Sequence, residues 1–261
     1  MPTKKKSRTS RKSQKSSSGD YIPKYNITHQ SGFGHVKFDL KKGDSIVTNR
    51  GVMSYVDSDV HVKTSSRGGI MKGMFRKMLT SEGMFLTTYT GTGYSGQVLK
   101  CSAILPGHIL DMDVNPGVRL MISPKCLLCF SDNLMTNSKR RLRGIFMSEG
   151  IYQTEIINNS NKKGMVWLSS YGGVEKLTLK SGEKLKVDNG LFLCASTDVK
   201  YDITKLGGIK STVLSGEGIV MEFTGPCTLY VQGNSVDNLL EYVTEHVSKS
   251  LPSQTRSYND F

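Results

Sequence analysis

A stretch of 28 residues occurs twice in this chain without a gap. Residues 43–70 read GDSIVTNRGVMSYVDSDVHVKTSSRGGI, and residues 182–209 read GEKLKVDNGLFLCASTDVKYDITKLGGI. Glycines, an Asp-Val pair and a Gly-Gly-Ile sequence return at an offset of 139 positions. Such a period is typical of chains built from copies of one supersecondary unit.

A third copy lies between these two. The segment GVRLMISPKCLLCFSDN, beginning at Gly117, aligns with GEKLKVDNGLFLCASTD at an offset of 65, so Cys129 and Cys194 occupy the same position. A Glu-Gly pair follows each copy, at residues 82, 149 and 217. The sequence therefore predicts three tandem modules, at approximately residues 33–100, 101–165 and 166–233.

The pattern within each module is that of β-strands. Val36, Phe38 and Leu40 alternate with polar residues before the first turn, and a similar pattern precedes the second and third turns. Period-2 alternation bounded by turn residues is typical of half-buried antiparallel strands. Glycine in such a turn supplies the positive φ that tight turns require. The three turn glycines are Gly43, Gly117 and Gly182.

Two segments have helical periodicity instead. Residues 70–79 place isoleucine, methionines, phenylalanine and leucine on one stripe, which fits a helix packed on the sheet or a methionine-rich surface for a partner or lipid. Near the end, Ser235 is a candidate N-cap for a short C-terminal helix. Its predicted apolar face consists of Val236, Leu239, Leu240, Val243 and Val247.

The N-terminal residues have a different composition. Residues 1–18 carry seven basic residues and no acidic one, which leaves +6 of the formal net charge of +13 for the rest of the chain. Because this segment is almost devoid of apolar side chains, we expect residues 1–24 to be a disordered basic tail. We expect residues 25–247 to form the three-module β domain with its helix, and residues 248–261 to be flexible. The basic residues of the tail are Lys4, Lys5, Lys6, Arg8, Arg11, Lys12 and Lys15.

The sequence resembles a known family in several of these elements. They are the glycine turn and its following strand, SSRGG with its counterpart KLGG, the segment SEGMFL, and the later GEGIVMEFTGP and YVQ. Together they resemble the Aim24-type proteins, named for altered inheritance of mitochondria and related in fold to the Trp RNA-binding attenuation protein (TRAP). The resemblance covers residues 33–233.

The resemblance implies an all-β chain of three TRAP-like modules, each a shortened double-stranded β-helix or β-sandwich, followed by a short C-terminal helix. It also implies a homo-oligomer, with a homotrimer closing a ring of nine modules. Ring closure is physically sensible, because it removes the exposed strand edges of small β modules. The tryptophan-binding and RNA-binding residues of the attenuation protein have no counterparts in this sequence, so those functions do not transfer.

Motifs for catalysis and metal binding are weak. The sequence has no H-E-x-x-H and no G-x-S-x-G. GTGYSG at residues 91–96 resembles a phosphate loop, but a strand-like segment follows it, so we interpret it as a β-turn. Asp59 and Asp198 each precede a strand and fit turn contacts better than a catalytic pair. We therefore expect no enzyme activity, no catalytic residues, no cofactor and no metal.

The five cysteines predict free, buried thiols. Their odd number and the lack of a recognisable secretion signal favour a reducing intracellular compartment without disulfides. Cys126 and Cys129 form a lone C-x-x-C in the strand-like CLLCF, where side chains three apart point to opposite faces. The tail has no hydrophobic helix face of the kind a mitochondrial presequence needs. We therefore expect the nucleus or cytoplasm rather than the mitochondrion, and no secretion.

Basic residues suggest a partner. The tail and a second cluster, SKRRLRG, predict binding of nucleic acid or another polyanion, although a solvated tail and a nuclear-import signal are open alternatives. The function hypothesis is a non-enzymatic oligomeric scaffold with a basic arm. A small-molecule or lipid-surface binding module using inter-module clefts is the alternative. No apolar run is long enough for a transmembrane segment. The basic residues of the second cluster are Lys139, Arg140, Arg141 and Arg143.

Overall fold

The computed structural model describes residues 22–30, 32–66, 85–141, 151–205 and 219–250. Antiparallel strands dominate these ranges and a single helix, α1 (Val236–Ser250), follows them, so the predicted all-β class with a C-terminal helix is confirmed. The predicted helix at residues 70–79 and residues 1–21 of the predicted tail (residues 1–24) lie outside the described residues, whereas Lys24 belongs to β1. In the first module the strands are β1 (Lys24–Thr28), β2 (His35–Leu40), β3 (Ser45–Asn49), β4 (Met53–Val56), β5 (His61–Ser66), β6 (Phe85–Thr90) and β7 (Gln97–Ser102).

The second and third modules repeat the order of the first from β2 onward. The second contains β8 (Ile109–Val114), β9 (Arg119–Ile122), β10 (Leu127–Ser131), β11 (Met135–Arg141), β12 (Ile151–Ile157) and β13 (Gly164–Ser169), with a 3-10 turn at Pro124–Cys126. The third contains β14 (Val174–Leu179), β15 (Lys184–Asp188), β16 (Phe192–Ser196), β17 (Lys200–Lys205), β18 (Ile219–Thr224) and β19 (Cys227–Gln232).

Each module divides its strands between two sheets. The first, third and sixth strands of a module form one half-sheet, and the second, fourth and fifth form another. Neighbouring modules share a sheet, because a half-sheet of one joins a half-sheet of the next. The strand orders are β1-β2-β7-β4 in the first sheet, β5-β6-β3-β10-β13-β8 in the second, β11-β12-β9-β16-β19-β14 in the third and β15-β18-β17 in the fourth.

The turn glycines have the predicted backbone. Gly43, Gly117 and Gly182 have φ of 90°, 78° and 82°, a region that side chains with a Cβ rarely adopt. In the first of these turns, the amide of Asp44 donates to the Lys41 carbonyl at 2.9 Å. The same turn recurs in all three modules. It does not close a hairpin, because the first and second strands of each module lie in different sheets. The repeated glycines therefore specify the turn by which the chain passes from one sheet to the next.

Three hydrophobic cores lie between successive sheets. The core between the first and second sheets is centred on Trp167, which makes edge-on contacts with Phe38 at 4.8 Å and Tyr25 at 5.1 Å between ring centroids. The core between the second and third sheets includes Val47 and Phe130. The core between the third and fourth sheets includes Met121, Phe192 and Phe223. The sheets are therefore stacked, and the inner two are apolar on both faces.

Candidate interaction surfaces

The structure describes only part of the two predicted basic clusters. The seven tail residues and Arg143 lie outside the described residues. Lys139, Arg140 and Arg141 lie on β11, where their backbone pairs with residues 153–151 of β12. β11 is an edge strand of the third sheet, whereas the tail joins β1 at an edge of the first sheet. The second sheet lies between the first and the third. β11 is therefore not a neighbour of β1, the strand that follows the tail in the sequence.

The cysteines are free thiols, and four of the five are buried. Cys126 ends the 3-10 turn rather than lying in a strand as predicted, because β10 begins at Leu127. The conclusion about faces holds, since Cys126 lies in the core between the second and third sheets and Cys129 in the core before it. Burial raises the pKa of Cys126 to about 12 and raises the pKa of Cys129 and Cys194 as well. Such thiols are poor nucleophiles and poor metal ligands at neutral pH.

The weak motifs have structural explanations. GTGYSG connects β6 to β7 as a turn, in which Gln97 Oε1 accepts hydrogen bonds from the amides of Thr92 at 2.7 Å and Gly93 at 3.0 Å. Asp198 accepts a hydrogen bond from Ser196 Oγ, and Asp59 accepts one from Ser58 Oγ at 3.2 Å. In the described ranges, no three histidine, cysteine or acidic side chains are grouped as a metal site. Gln97, Asp59 and Asp198 therefore make hydrogen bonds within turns or at strand ends.

A surface that the sequence did not reveal lies at β4, which we call the first-module edge. Its equivalents, β10 and β16, have a strand on both sides, whereas β4 has only β7 beside it among the described strands. Met53 is 42% exposed, but the residues at its position in β10 and β16, Leu127 and Phe192, are each 2% exposed. Tyr55 is 48% exposed where Cys129 and Cys194 are fully buried.

The opposite end of the chain has a complementary surface at β15, the third-module edge. Its equivalents β3 and β9 also have strands on both sides, whereas β15 has only β18 beside it in the described part of the chain. Leu185 is half-buried, while Ile46 and Leu120 at its position are buried. Lys186 is exposed and replaces Val47 and Met121, which are 1% and 4% exposed.

Ion pairs organise the third-module edge. Lys184 Nζ lies 3.2 Å from Glu222 Oε1, and Lys186 Nζ lies 3.6 Å from Glu222 Oε2. The hydrogen bond from Lys184 is the main reason why the pKa of Glu222 lies below its usual value. Lysines on an edge strand discourage indiscriminate strand pairing. The charged lysines therefore protect the edge from non-specific strand pairing, and no described strand pairs with its outer side.

The C-terminal helix is capped as predicted, and much of its predicted apolar face is exposed. Ser235 Oγ accepts a hydrogen bond from the Asn238 amide at 3.0 Å, and Lys125 Nζ lies 2.8 Å from the Asp237 carboxylate. Leu240, Val243 and Val247 of the predicted apolar face are 57%, 45% and 48% exposed. No helix in the described ranges is long and apolar enough to cross a membrane.

One signal for the two edges was present in the sequence. Aligning the repeats places Lys186 where the other modules have Val47 and Met121, and Tyr55 where they have cysteine. These substitutions mark the modules at the ends of the array. The alignment does not tell which strands are neighbours, so the consequence becomes visible only in the sheet order.

One family model, one relative and one solved structure match most of this chain. The model of the family described as "AIM24: Mitochondrial biogenesis AIM24" matches residues 25–234. An uncharacterised protein of Streptococcus pyogenes serotype M6 is 23% identical over 222 residues, which are 82% of this chain and 87% of that protein. A crystal structure of a protein from Streptococcus pyogenes superposes with a TM-score of 0.70 at 21% identity, covering 86% of this chain and all of the other. The structural likeness concerns the fold.

Proposed function

The chain belongs to the AIM24 family, and on that premise we propose that it is a non-enzymatic oligomeric scaffold protein whose basic N-terminal arm binds nucleic acid or another polyanion. The observation that carries the oligomeric part is the pair of open edges. β4 and β15 each lack a neighbour that both of their equivalents have among the described strands. Exposed strand edges with apolar side chains favour association with a further strand.

The proposal includes the finer assignments that the resemblance implies. Each module is TRAP-like, and a homotrimer closes the ring of nine modules. A heterologous contact between opposite ends of one chain gives a ring when its rotation closes, and a filament when it does not. Free thiols support a reducing compartment, and we place the protein in the cytoplasm or nucleus.

The arm supplies the polyanion part of the proposal. Seven basic residues within residues 1–18 give each subunit a charged segment without an acidic residue. Three such arms on one trimer increase avidity, because the first contact makes the later ones intramolecular. The second cluster, Lys139 to Arg143 in sequence, lies on or just beyond β11 and offers a separate basic segment.

The alternative, a small-molecule or lipid-surface module, has less support. Its methionine stripe at residues 71–78 lies outside the described residues. Where neighbouring modules meet, their half-sheets are continuous, and side chains such as Phe130 and Phe192 are buried in the cores beside them. No specific contact favours it over the scaffold.

Two measurements on the full chain test the proposal. Light scattering should give a mass of three subunits at micromolar concentration, and a stable monomer there would contradict the scaffold. Binding to a DNA duplex, titrated at several salt concentrations, should show a slope of log K against log salt near ~−6 if seven phosphates are neutralised. Replacing the seven tail residues by glutamine should remove most of that slope. Equal affinity and slope for both proteins would contradict the arm's role.

A further inference from the structure

The two internal junctions between modules have the same strand register. In the first, Thr48 pairs with Cys129 and Val47 with Phe130. In the second, the equivalent residues pair in the same way. The repeat offsets of 74 positions, from β3 to β9, and 65 positions, from β10 to β16, map one junction onto the other. The pairs of the second junction are Ile122 with Cys194, Met121 with Ala195, and Leu120 with Ser196.

The same offsets map the junction onto the two open edges. β15 is the equivalent of β3 and β9, and β4 is the equivalent of β10 and β16. We infer that β4 of one subunit pairs antiparallel with β15 of a second copy of this chain, in the register Tyr55 with Val187, Val56 with Lys186 and Asp57 with Leu185. This inference rests on the proposed oligomeric function and specifies its contact.

The backbone of β4 is already shaped for such a partner. Its pairing with β7 has a register irregularity between Met53 and Tyr55. β10 and β16 have the same irregularity at the equivalent residues, against β13 and β19. β10 and β16, which pair with β3 and β9, therefore have the same register irregularity as β4.

The directions of the backbone hydrogen bonds also agree. The Asp57 amide donates to the Val98 carbonyl at 3.0 Å, so alternation along the strand turns the N–H and C=O of Val56 away from β7. The Gly225 amide donates to the Glu183 carbonyl at 2.9 Å, so the same alternation turns the backbone of Lys186 away from β18. Val56 and Lys186 are the residues that the inferred register places opposite each other as a hydrogen-bonded pair.

The side chains fit the same arrangement. Cys194 Sγ lies 3.4 Å from Met112 Sδ across the second junction. Tyr55 is the equivalent of Cys194, and Leu177 is the equivalent of Met112. Leu177 is half-buried, as are Leu179 and Leu185 beside it. The Tyr55 ring of one copy, larger than the cysteine it replaces, covers this apolar surface on the next copy.

An engineered disulfide tests the register. Opposed residues of a non-hydrogen-bonded antiparallel pair have Cα atoms about 4.5 Å apart, within the range that a disulfide spans. In a Cys227→Ser background, the double variant Tyr55→Cys, Val187→Cys should form covalent oligomers in most of the protein on mild oxidation, as seen on a non-reducing gel. The matched control pairs Tyr55→Cys with Leu185→Cys, which is about 7–8 Å away on the diagonal and should link poorly.

The outcomes separate the inference from the proposed function. If the protein is oligomeric but links better through residues 55 and 185 than through 55 and 187, the inferred register is wrong. The register is also wrong if neither pair links. Both results leave the proposed scaffold function unaffected. Linkage by Tyr55→Cys alone overturns the head-to-tail pairing, because it requires two copies of β4 to meet. A monomeric mass for the unmodified protein overturns both proposals.

A second variant keeps the inference testable if the cysteine pairs fold poorly. Lys186→Pro removes an amide that points away from β18, so the internal ladder is kept and the intermolecular hydrogen bond is lost. We expect the subunit dissociation constant to rise at least tenfold, measured by analytical ultracentrifugation. An unchanged dissociation constant with normal circular dichroism overturns the inferred pairing.

Discussion

Equivalent strands form the internal junctions and the two edges, but they are covered on both sides at the junctions and on one side at the edges. At the junctions, β3 meets β10 and β9 meets β16 within one chain. At the edges, β4 and β15 have a described neighbour on one side only. Junction positions such as those of Leu127, Phe192 and Val47 carry apolar side chains that are almost fully buried. The equivalent edge positions carry Met53 and Lys186, which are exposed.

This difference shows how a repeated module adapts to the end of an array. A junction strand is covered as soon as the chain folds, so it can be apolar on both faces. An edge strand is exposed until a partner arrives, and a lysine bound to Glu222 protects it in the meantime. The lysine stem still has four methylene groups that can lie against an apolar neighbour.

The largest expected effect compares a junction residue with its counterpart at the edge. Phe192→Ala should lower the free energy of unfolding by about 3–5 kcal/mol, because the ring is buried between the third and fourth sheets. Met53→Ala, at the equivalent edge position, should cost less than about 1 kcal/mol in dilute protein. Urea denaturation measures both. Similar losses would mean that the edge is already covered in the single chain.

A charge at the edge should act on assembly rather than on folding. Tyr55→Asp should raise the subunit dissociation constant about 30-fold, equivalent to the ~2 kcal/mol typical of a central aromatic contact. Sedimentation measured over a range of concentrations reports this change. Tyr94→Asp is the matched control, since Tyr94 is 85% exposed on the turn between β6 and β7. Equal shifts in both variants would remove Tyr55 from the contact.

Thiol labelling compares exposed and buried cysteines with a cysteine introduced at the first-module edge. Cys227, which is partly exposed, should react fastest at pH 8, while Cys126, with a pKa of about 12, has roughly a thousandfold less thiolate than an ordinary cysteine. Tyr55→Cys places a thiol at the position of Cys129 and Cys194. It should react at low protein concentration and be protected at high concentration, as mass spectrometry of alkylated protein can show. Protection at every concentration would argue against a reversible contact.

The smallest expected effect concerns the ion pairs of the third-module edge. Because the folded-state pKa of Glu222 is lowered, its contribution to stability is present above the unfolded pKa and is lost as pH falls through the folded value. Denaturation midpoints should therefore fall slightly more for the native protein than for Glu222→Gln between pH 5 and pH 3. The effect is small because both lysines that pair with Glu222 are largely exposed to solvent. Parallel curves would show that the pair contributes nothing to folding.

Much of each module was predictable because its determinants are local. Gly43 and its two equivalents specify a turn through their own φ, and Ser235 caps a helix through an amide three residues away. The equivalence of Cys129 and Cys194 followed from alignment alone and matches their burial. β1 was missed, since KYNIT adjoins the basic tail and has no copy in the other modules.

The interaction surface was harder to predict because it depends on pairing between distant strands. Alternation tells which side of a strand is buried but not which strand lies beside it. Thr48 and Cys129, for example, are 81 positions apart in the sequence, and nothing in either segment names the other. For the same reason, the sequence did not tell that Lys139, Arg140 and Arg141 lie on an edge strand of the third sheet, whereas β1 lies at an edge of the first.

By itself, the sequence determined the repeat, the antiparallel strands, the glycine turns and the family, because these follow from spacing and from the conformations that single residues allow. The tertiary structure decided that neighbouring modules share sheets and that β4 and β15 are left at the ends. These features depend on which surfaces meet when three copies of one unit pack, and a finite array of equivalent units must leave its first and last contact surfaces unfilled within the chain.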